Sequence, residues 1–306
     1  MHEFVVVSII ASVIGLLARL IMLRSDYRQY PSSPHSILSH IVMAAIASVL
    51  GAVAVPAFLE KEYTAVTFLT LAATQFREIR SVERESLQSL EETELVERGQ
   101  AYIEDTAKKF ESRNYVAMAS SFGYSVLYYV SKLYLNKQFS MVLSFILICA
   151  FICFLYFHMR GGRIEQIAKI ELKEVKNNGP LIIVDDVVLV NIGNKKSQQI
   201  VLENAVGIVL TPKNKDAEVT LSNLGQRQAI LSNCSIQLGI KKDVDEPDFT
   251  PLARRNPQTG KIAILILCME DDKDIIIDSV ARTPILESAK RKPSMFYKNL
   301  NKDKKV

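Results

Sequence analysis

"QAYIEDTAKKFESRNY" (residues 100–115) runs straight into "YVAMASSFGYSVLYYVSKLYL" (115–135). The point where charge gives way to apolar side chains separates a water-facing helix from one fit for a bilayer. In the first stretch and just before it, Val96, Ile103, Ala107 and Phe110 recur at steps of seven, four and three, which on a helix makes one apolar stripe. The other side carries Glu97, Glu104, Lys108 and Glu111, and the pairs Glu104–Lys108 and Asp105–Lys109 have the favourable acid-before-base spacing. A short helix alone would be marginal in water, so the stripe is expected to bury against the rest of the cytosolic part, a second copy, or a partner. Ile103 and Phe110 are expected to dock it, while Tyr102, Glu104 and Arg113 form a polar recognition edge.

Working outward, residues 4–23, 37–59 and 140–158 are each apolar enough and long enough to cross a hydrocarbon core of about 30 Å. Residues 115–135, rich in small side chains and tyrosines, are expected to form a further span packed among helices. Residues 64–76 reach only about 20 Å at roughly 1.5 Å per residue, so they cross or re-enter, and the expected count is four or five spans. Arg24, Arg28, Arg77, Arg80, Arg84, Arg98, Lys108, Lys109 and Arg113 fall on one side in a five-span arrangement, with Lys61, Lys132 and Lys137 on the other. The positive-inside rule then makes 77–114 and everything after Arg160 cytosolic, and a four-span arrangement leaves that unchanged. No Lys or Arg precedes the first apolar run, so it is expected to be a retained anchor, with Arg19 snorkelling to the headgroups.

The expected division is a membrane region (1–163) that includes a cytosolic helical segment (77–114), a small cytosolic α/β or α+β domain (164–293), and a basic tail (294–306). Segment 77–114 is expected to be a helical hairpin or one long helix, with Gly99 at a possible break. "IEQIAKIELKEVKNN" suggests a polar helical linker. "LIIVDDVVLVNI" suggests two strands about an Asp-Asp turn, and "QQIVLENAVGIVL" carries a strand that ends before Pro212. "AEVTLSNLGQRQAILSNCSIQLGI" suggests a helix with Leu221, Leu224, Gln228 and Leu231 on one face. "KIAILILCM" and "DIIIDSV" suggest buried strands.

Chemistry is sparse. "NPQTGK" (256–261) lacks the earlier glycine and the Ser/Thr of a phosphate loop, and is expected to be a hairpin turn. "EDDKD" (270–274) lacks the glycine and distal acid of a calcium loop. The histidines 2, 35, 40 and 158 have no partner at zinc spacing, and His40 is expected to bond between helices. Cys149, Cys153, Cys234 and Cys268 form no C-x-x-C motif and are expected to be apolar filler. No catalytic residue, cofactor or metal is assigned, and no nucleic-acid partner is expected.

"YIEDTAKKFESRNY" resembles the signature of the YIEGIA family, membrane proteins of spore-forming Gram-positive bacteria. Tyr102, Ile103, Glu104 and Ala107 match the hexapeptide, while Asp105 and Thr106 stand where it has Gly and Ile. Lys108, Phe110, Glu111, Arg113, Asn114 and Tyr115 resemble its continuation, as do "RQYP" (28–31), "NLGQRQAIL" (223–231) and "LESAKRKP" (286–293). The resemblance implies spans followed by a cytosolic domain, in a sporulation-associated regulator at the cell membrane; it implies no catalytic residues. The leading expectation is a multi-pass regulator, in contact with lipid, that binds a cytosolic protein through Tyr102, Ile103, Glu104, Phe110, Glu111, Arg113, Asn114 and Tyr115, with homo-oligomerisation an open option. A membrane hydrolase or protease, or a component controlling proteolysis, is the alternative, and a transporter ranks third.

Overall fold

The computed structural model describes residues 2–26, 34–159 and 161–294. "RQYP" and the tail lysines 298, 302, 304 and 305 lie outside these. The chain forms two compact units, one of Met1–Ser86 with Thr106–Arg160 and one of Leu87–Asp105 with Gly161–Val306. Residues 87–105 thus fold with the C-terminal part of the chain, and a single cut at 163/164 does not describe the division.

The helical unit contains α1 (His2–Asp26), α2 (Pro34–Leu59), most of α3 (Tyr63–Glu91), most of α4 (Gln100–Lys132) and α5 (Lys137–His158). Three helices, within Glu3–Leu23, Ile37–Leu59 and Lys137–His158, are long and apolar enough to cross a membrane by length and composition. Segments 64–76 and 115–135 do not reach that mark, so hydropathy supports three spans where four or five were expected. The reason is composition. Segment 64–76 is the start of a helix that continues into charged residues to Glu91, and 115–132 carries Ser120, Ser121, Ser125, Tyr124 and Tyr128, which pack inward.

Small residues let the backbones approach. A Cβ on Gly15 would lie 2.6 Å from the Ala117 carbonyl oxygen, and one on Gly51 would lie 2.3 Å from that of Met118, so α1, α2 and α4 meet at glycine. At one end of this packing Glu3 accepts from Tyr128 Oη at 2.6 Å and from Lys132 Nζ at 2.5 Å. At the other end, Arg19 Cζ stands 5.8 Å from the centroid of the Phe110 ring and His40 meets that ring edge-on at 4.5 Å. Arg19 is 1% exposed, so it does not snorkel outward; the aromatic face holds it inside the bundle.

The α/β unit is built on a four-stranded antiparallel sheet in the order β1 (Ala168–Lys173), β5 (Val206–Pro212), β7 (Ile262–Ile266), β6 (Leu252–Arg255). A second sheet pairs β2 (Val175–Asn178), β3 (Leu181–Val184) and β4 (Val187–Asn191). Alternation sorts the central strands. Ile208, Leu210, Ile262, Ile264 and Ile266 join one core with the helices, while Val209, Ala263 and Leu265 join another with Ile182, Val184 and Leu189 of the second sheet. Burial on both faces explains why "AILIL" reads as a continuous apolar run. The turns at Asp185-Asp186 and at 256–261 fall where expected, and Asp185 adopts a left-handed φ of 56°.

Three expectations fail. The proposed linker holds only the short helix α6 (Ile164–Ile167) before β1 and β2, because Ile170 and Leu172 alternate with Lys169, Glu171 and Lys173 and turn their apolar side to the core. "DIIIDSV" lies in helix α10 (Lys273–Ala281): Asp272 Oδ1 accepts from Asp274 N at 2.8 Å as N-cap, and the buried Ile276 and Val280 are four apart. The long C-terminal helix is divided into α8 (Lys215–Ser222) and α9 (Leu224–Leu238), since Asn223 is extended and caps α9 through Gln226 N at 3.1 Å, which leaves Leu224 exposed. Helix α7 (Lys195–Asn204) precedes β5.

Candidate functional site

The stretch that opens α4 is not a helix with one wet side. Tyr102, Ile103, Asp105, Thr106, Ala107, Phe110, Arg113 and Asn114 are all buried, Tyr102 at 4% and Arg113 at 5% exposure, so Tyr102 and Arg113 do not form an exposed edge with the half-buried Glu104. Polar residues replace apolar ones on the buried sides, and this is why the periodicity shows only one face.

Its first turns belong to the α/β unit, where they meet "NLGQRQAIL" and "LESAKRKP". Gly99, at φ 82°, precedes the helix; its carbonyl accepts from Tyr102 N at 3.0 Å, and the Glu91 carboxylate takes the N–H groups of Arg98 and Gly99. Gln228 Nε2 donates to the Glu97 carbonyl at 2.5 Å. A Cβ on Gly225 would lie 2.5 Å from that of Ala101, so α9 and α4 touch where only glycine fits. Tyr102 packs with Ala229, Leu286 and Ala289. Gln226, fully buried, donates from Nε2 to the Pro284 carbonyl at 3.0 Å and accepts at Oε1 from Leu286 N at 2.8 Å. Asp105 Oδ1 accepts from Glu287 N at 2.9 Å, a bond that glycine at this position could not make. Burial pushes the Tyr102 phenol up to about 12 against the opposing pull of Arg98. The site is a three-segment clasp, and sequence reasoning missed Gly225, Gln226 and Pro284. The capping pattern N-x-x-Q at 223–226 was the one local signal for it.

The later turns belong to the helical unit. Phe110 takes Arg19 and His40 as described. Glu111 pairs with Arg80 at 3.9 Å, and Arg113 Nη2 donates to the Met159 carbonyl at 3.2 Å. Asn114 is 1% exposed, and neither atom of its amide has a hydrogen-bond partner among the described residues. Tyr115 is exposed and lines a cavity of about 350 Å³ with Leu50, Leu69, Met118 and Phe122. Burial raises the Glu83 carboxyl above its ordinary value, with Arg19 pulling the other way.

No group of three His, Cys, Asp or Glu that could hold a metal ion occurs among the described residues. Burial pushes the Cys234 thiol up to about 12, which keeps it protonated, and Cys268 is buried too. Cys149 and Cys153 are exposed on α5.

The family profile described as "YIEGIA protein" matches residues 7–296, and the chain belongs to that family. A Bacillus subtilis (strain 168) protein, described as "Uncharacterized protein YphB", is 40% identical over 297 residues, covering 96% of this chain and 97% of its own. No solved structure matches.

Proposed function

We propose that the chain is a multi-pass regulator at the cell membrane of a spore-forming bacterium, with the α/β unit in the cytosol binding a protein partner. One observation carries the topology: residues 87–105 and 161–294 fold as one unit, while the chain between them runs through the apolar α5. Both ends of that excursion must lie on one side, so α5 needs a returning crossing, and α4 beyond residue 115 is its means. Contacts within the helical unit support the rest. Arg19 and His40 sit level with Phe110, near the entry of α4, and Glu3 sits level with Lys132 at its exit. On this reading α1 enters, α2 leaves, and α3 returns to reach Leu87, which gives five spans and agrees with the distribution of Lys and Arg. Serines and tyrosines in α4 are tolerated because they face other helices.

The regulatory, partner-binding role rests on a large membrane-tethered α/β surface whose signature residues serve docking. Thiol labelling tests the arrangement in a cysteine-free background. Cysteines placed at Ser89 and Val244 should resist an impermeant reagent in intact cells and react after permeabilisation, whereas one at Tyr134 should react at once. Labelling of Ser89 or Val244 in intact cells would overturn the topology. For the role itself, photo-crosslinking groups on exposed positions of the full chain in cells should yield a defined protein adduct.

A further inference from the structure

Two sheet edges face one cleft in the α/β unit. β6 ends the four-stranded sheet and β4 ends the three-stranded one. A cleft of about 400 Å³ is lined by Asp186 and Val188 on the β4 side and by Arg254, Arg255 and Gln258 on the β6 side. In an antiparallel pair, successive residues alternate between bonding the neighbour and turning away. Asn256 N donates to the Lys261 carbonyl at 2.9 Å, so by alternation Arg254 bonds to β7 while Ala253 and Arg255 turn their backbone groups to the free edge. The Ala253 carbonyl agrees with this, for it accepts from Arg227 Nη1 at 3.1 Å. Across the cleft, the Val184–Val187 pair closes the Asp-Asp turn, so Val188, itself exposed, turns its N–H and C=O outward.

Most charges at the cleft are paired. Glu218 is held by Arg255 at 2.6 Å and Asp185 by Lys261 at 2.7 Å, and Asp186 Oδ2 accepts from Asn256 Nδ2 at 2.7 Å. Arg254 is exposed and has no carboxylate partner among the described residues. Arg227 and Arg255 each keep a buried Nε with no acceptor among the described residues. Glu218 and Asp185 are offset by Arg255 and Lys261, Asp186 is held by a neutral amide, and the Arg254 guanidinium is spare among the described residues.

We propose that this cleft takes a short extended segment of a partner protein, bonded through its backbone to the Arg255 edge, passing beside Val188 and carrying an Asp or Glu onto Arg254. The proposal rests on the partner-binding reading and names the chemistry of the partner. Its test uses the full chain in nanodiscs with a fluorescein-labelled peptide that alternates valine with glutamate or aspartate. Anisotropy should show saturable binding, weakened about ten-fold by Arg254→Glu. Binding should be abolished when the peptide is N-methylated at alternate amides, and absent for the lysine-substituted peptide. No saturable binding, equal binding of the lysine peptide, or indifference to Arg254→Glu or to N-methylation would each overturn the proposal.

Photo-crosslinkers in cells separate it from the broader reading. Adducts from Val188 and Gln258 to an acidic protein segment support the cleft. Protein adducts only from Leu224 and Val244, on other parts of the surface, or adducts between copies of this chain at the cleft, overturn the cleft and leave partner binding intact. No protein adduct at any of the four positions sinks both.

Discussion

Gln226→Leu should open the clasp without disturbing the sheet. The leucine conserves most of the volume but removes the donor to the Pro284 carbonyl and the acceptor for Leu286 N, at 3.0 and 2.8 Å, from a fully buried position. Each backbone group left unpaired costs about 1–3 kcal/mol, so the two together cost about 2–6 kcal/mol, and roughly 3 kcal/mol of local stability at 283–290 is a figure in the lower half of that range. If these amides exchange through local opening, that loss raises their hydrogen-exchange rate about 100-fold, at 1.4 kcal/mol per factor of ten. Exchange of the full chain in micelles, read by mass spectrometry, should show this acceleration at 283–290 and a smaller one at 100–105, through Asp105 and Tyr102. Peptides from β5 and β7 should stay protected. Unchanged exchange at 283–290 would refute the clasp as the element that orders this segment, and uniform acceleration everywhere would show Gln226 acting on the whole fold.

Tyr102→Phe should flatten the alkaline loss of stability. Because folding raises the phenol from its ordinary value near 10 to about 12, its stabilisation is fully present below pH 10 and fades as the pH climbs through 12. The wild-type chain should lose up to about 2–3 kcal/mol more than the variant between those limits in denaturation series, and parallel curves would contradict the burial of this hydroxyl. Asn114→Leu, removing a buried amide that has no partner among the described residues, should raise the thermal stability of the full chain in micelles by about 1–3 kcal/mol. A lowered midpoint would mean that the amide is satisfied.

Hydropathy alone locates three helices because segments of 21, 23 and 22 predominantly apolar residues leave few other structures open to them. It underrates α4, whose Ser120, Ser121 and Ser125 are turned inward where no window average can see it, and α3, whose apolar start is short and runs on into charged residues. In the α/β unit, "LIIVDDVVLV" declares itself through its turn, whereas β1 is disguised by its lysines and glutamate and α10 by three consecutive isoleucines. The clasp was hardest to read. Asp105 and Glu287 meet across 182 positions, and nothing local in either segment marks the other as its partner. The signature residues were visible as a group; that most of them face inward was not, since Arg113 and Asn114 are of types usually found at the surface.

The split composition of the α/β unit also has a consequence for biosynthesis. Its first strip, residues 87–105, leaves the ribosome well before the segment that closes over it, and α4 and α5 are made in between. At about 5–20 residues per second, the 182 positions from Asp105 to Glu287 take roughly 10–40 s. Through that interval Tyr102 lacks Leu286 and Ala289, so its pocket is incomplete. A transcript or chain cut short before Pro284 would leave this state permanent, because Gln226 would find neither of its backbone partners. Burial of Tyr102 therefore waits for Leu286 and Ala289, whereas Phe110 and Arg113 find Arg19, His40 and Met159 much earlier in synthesis.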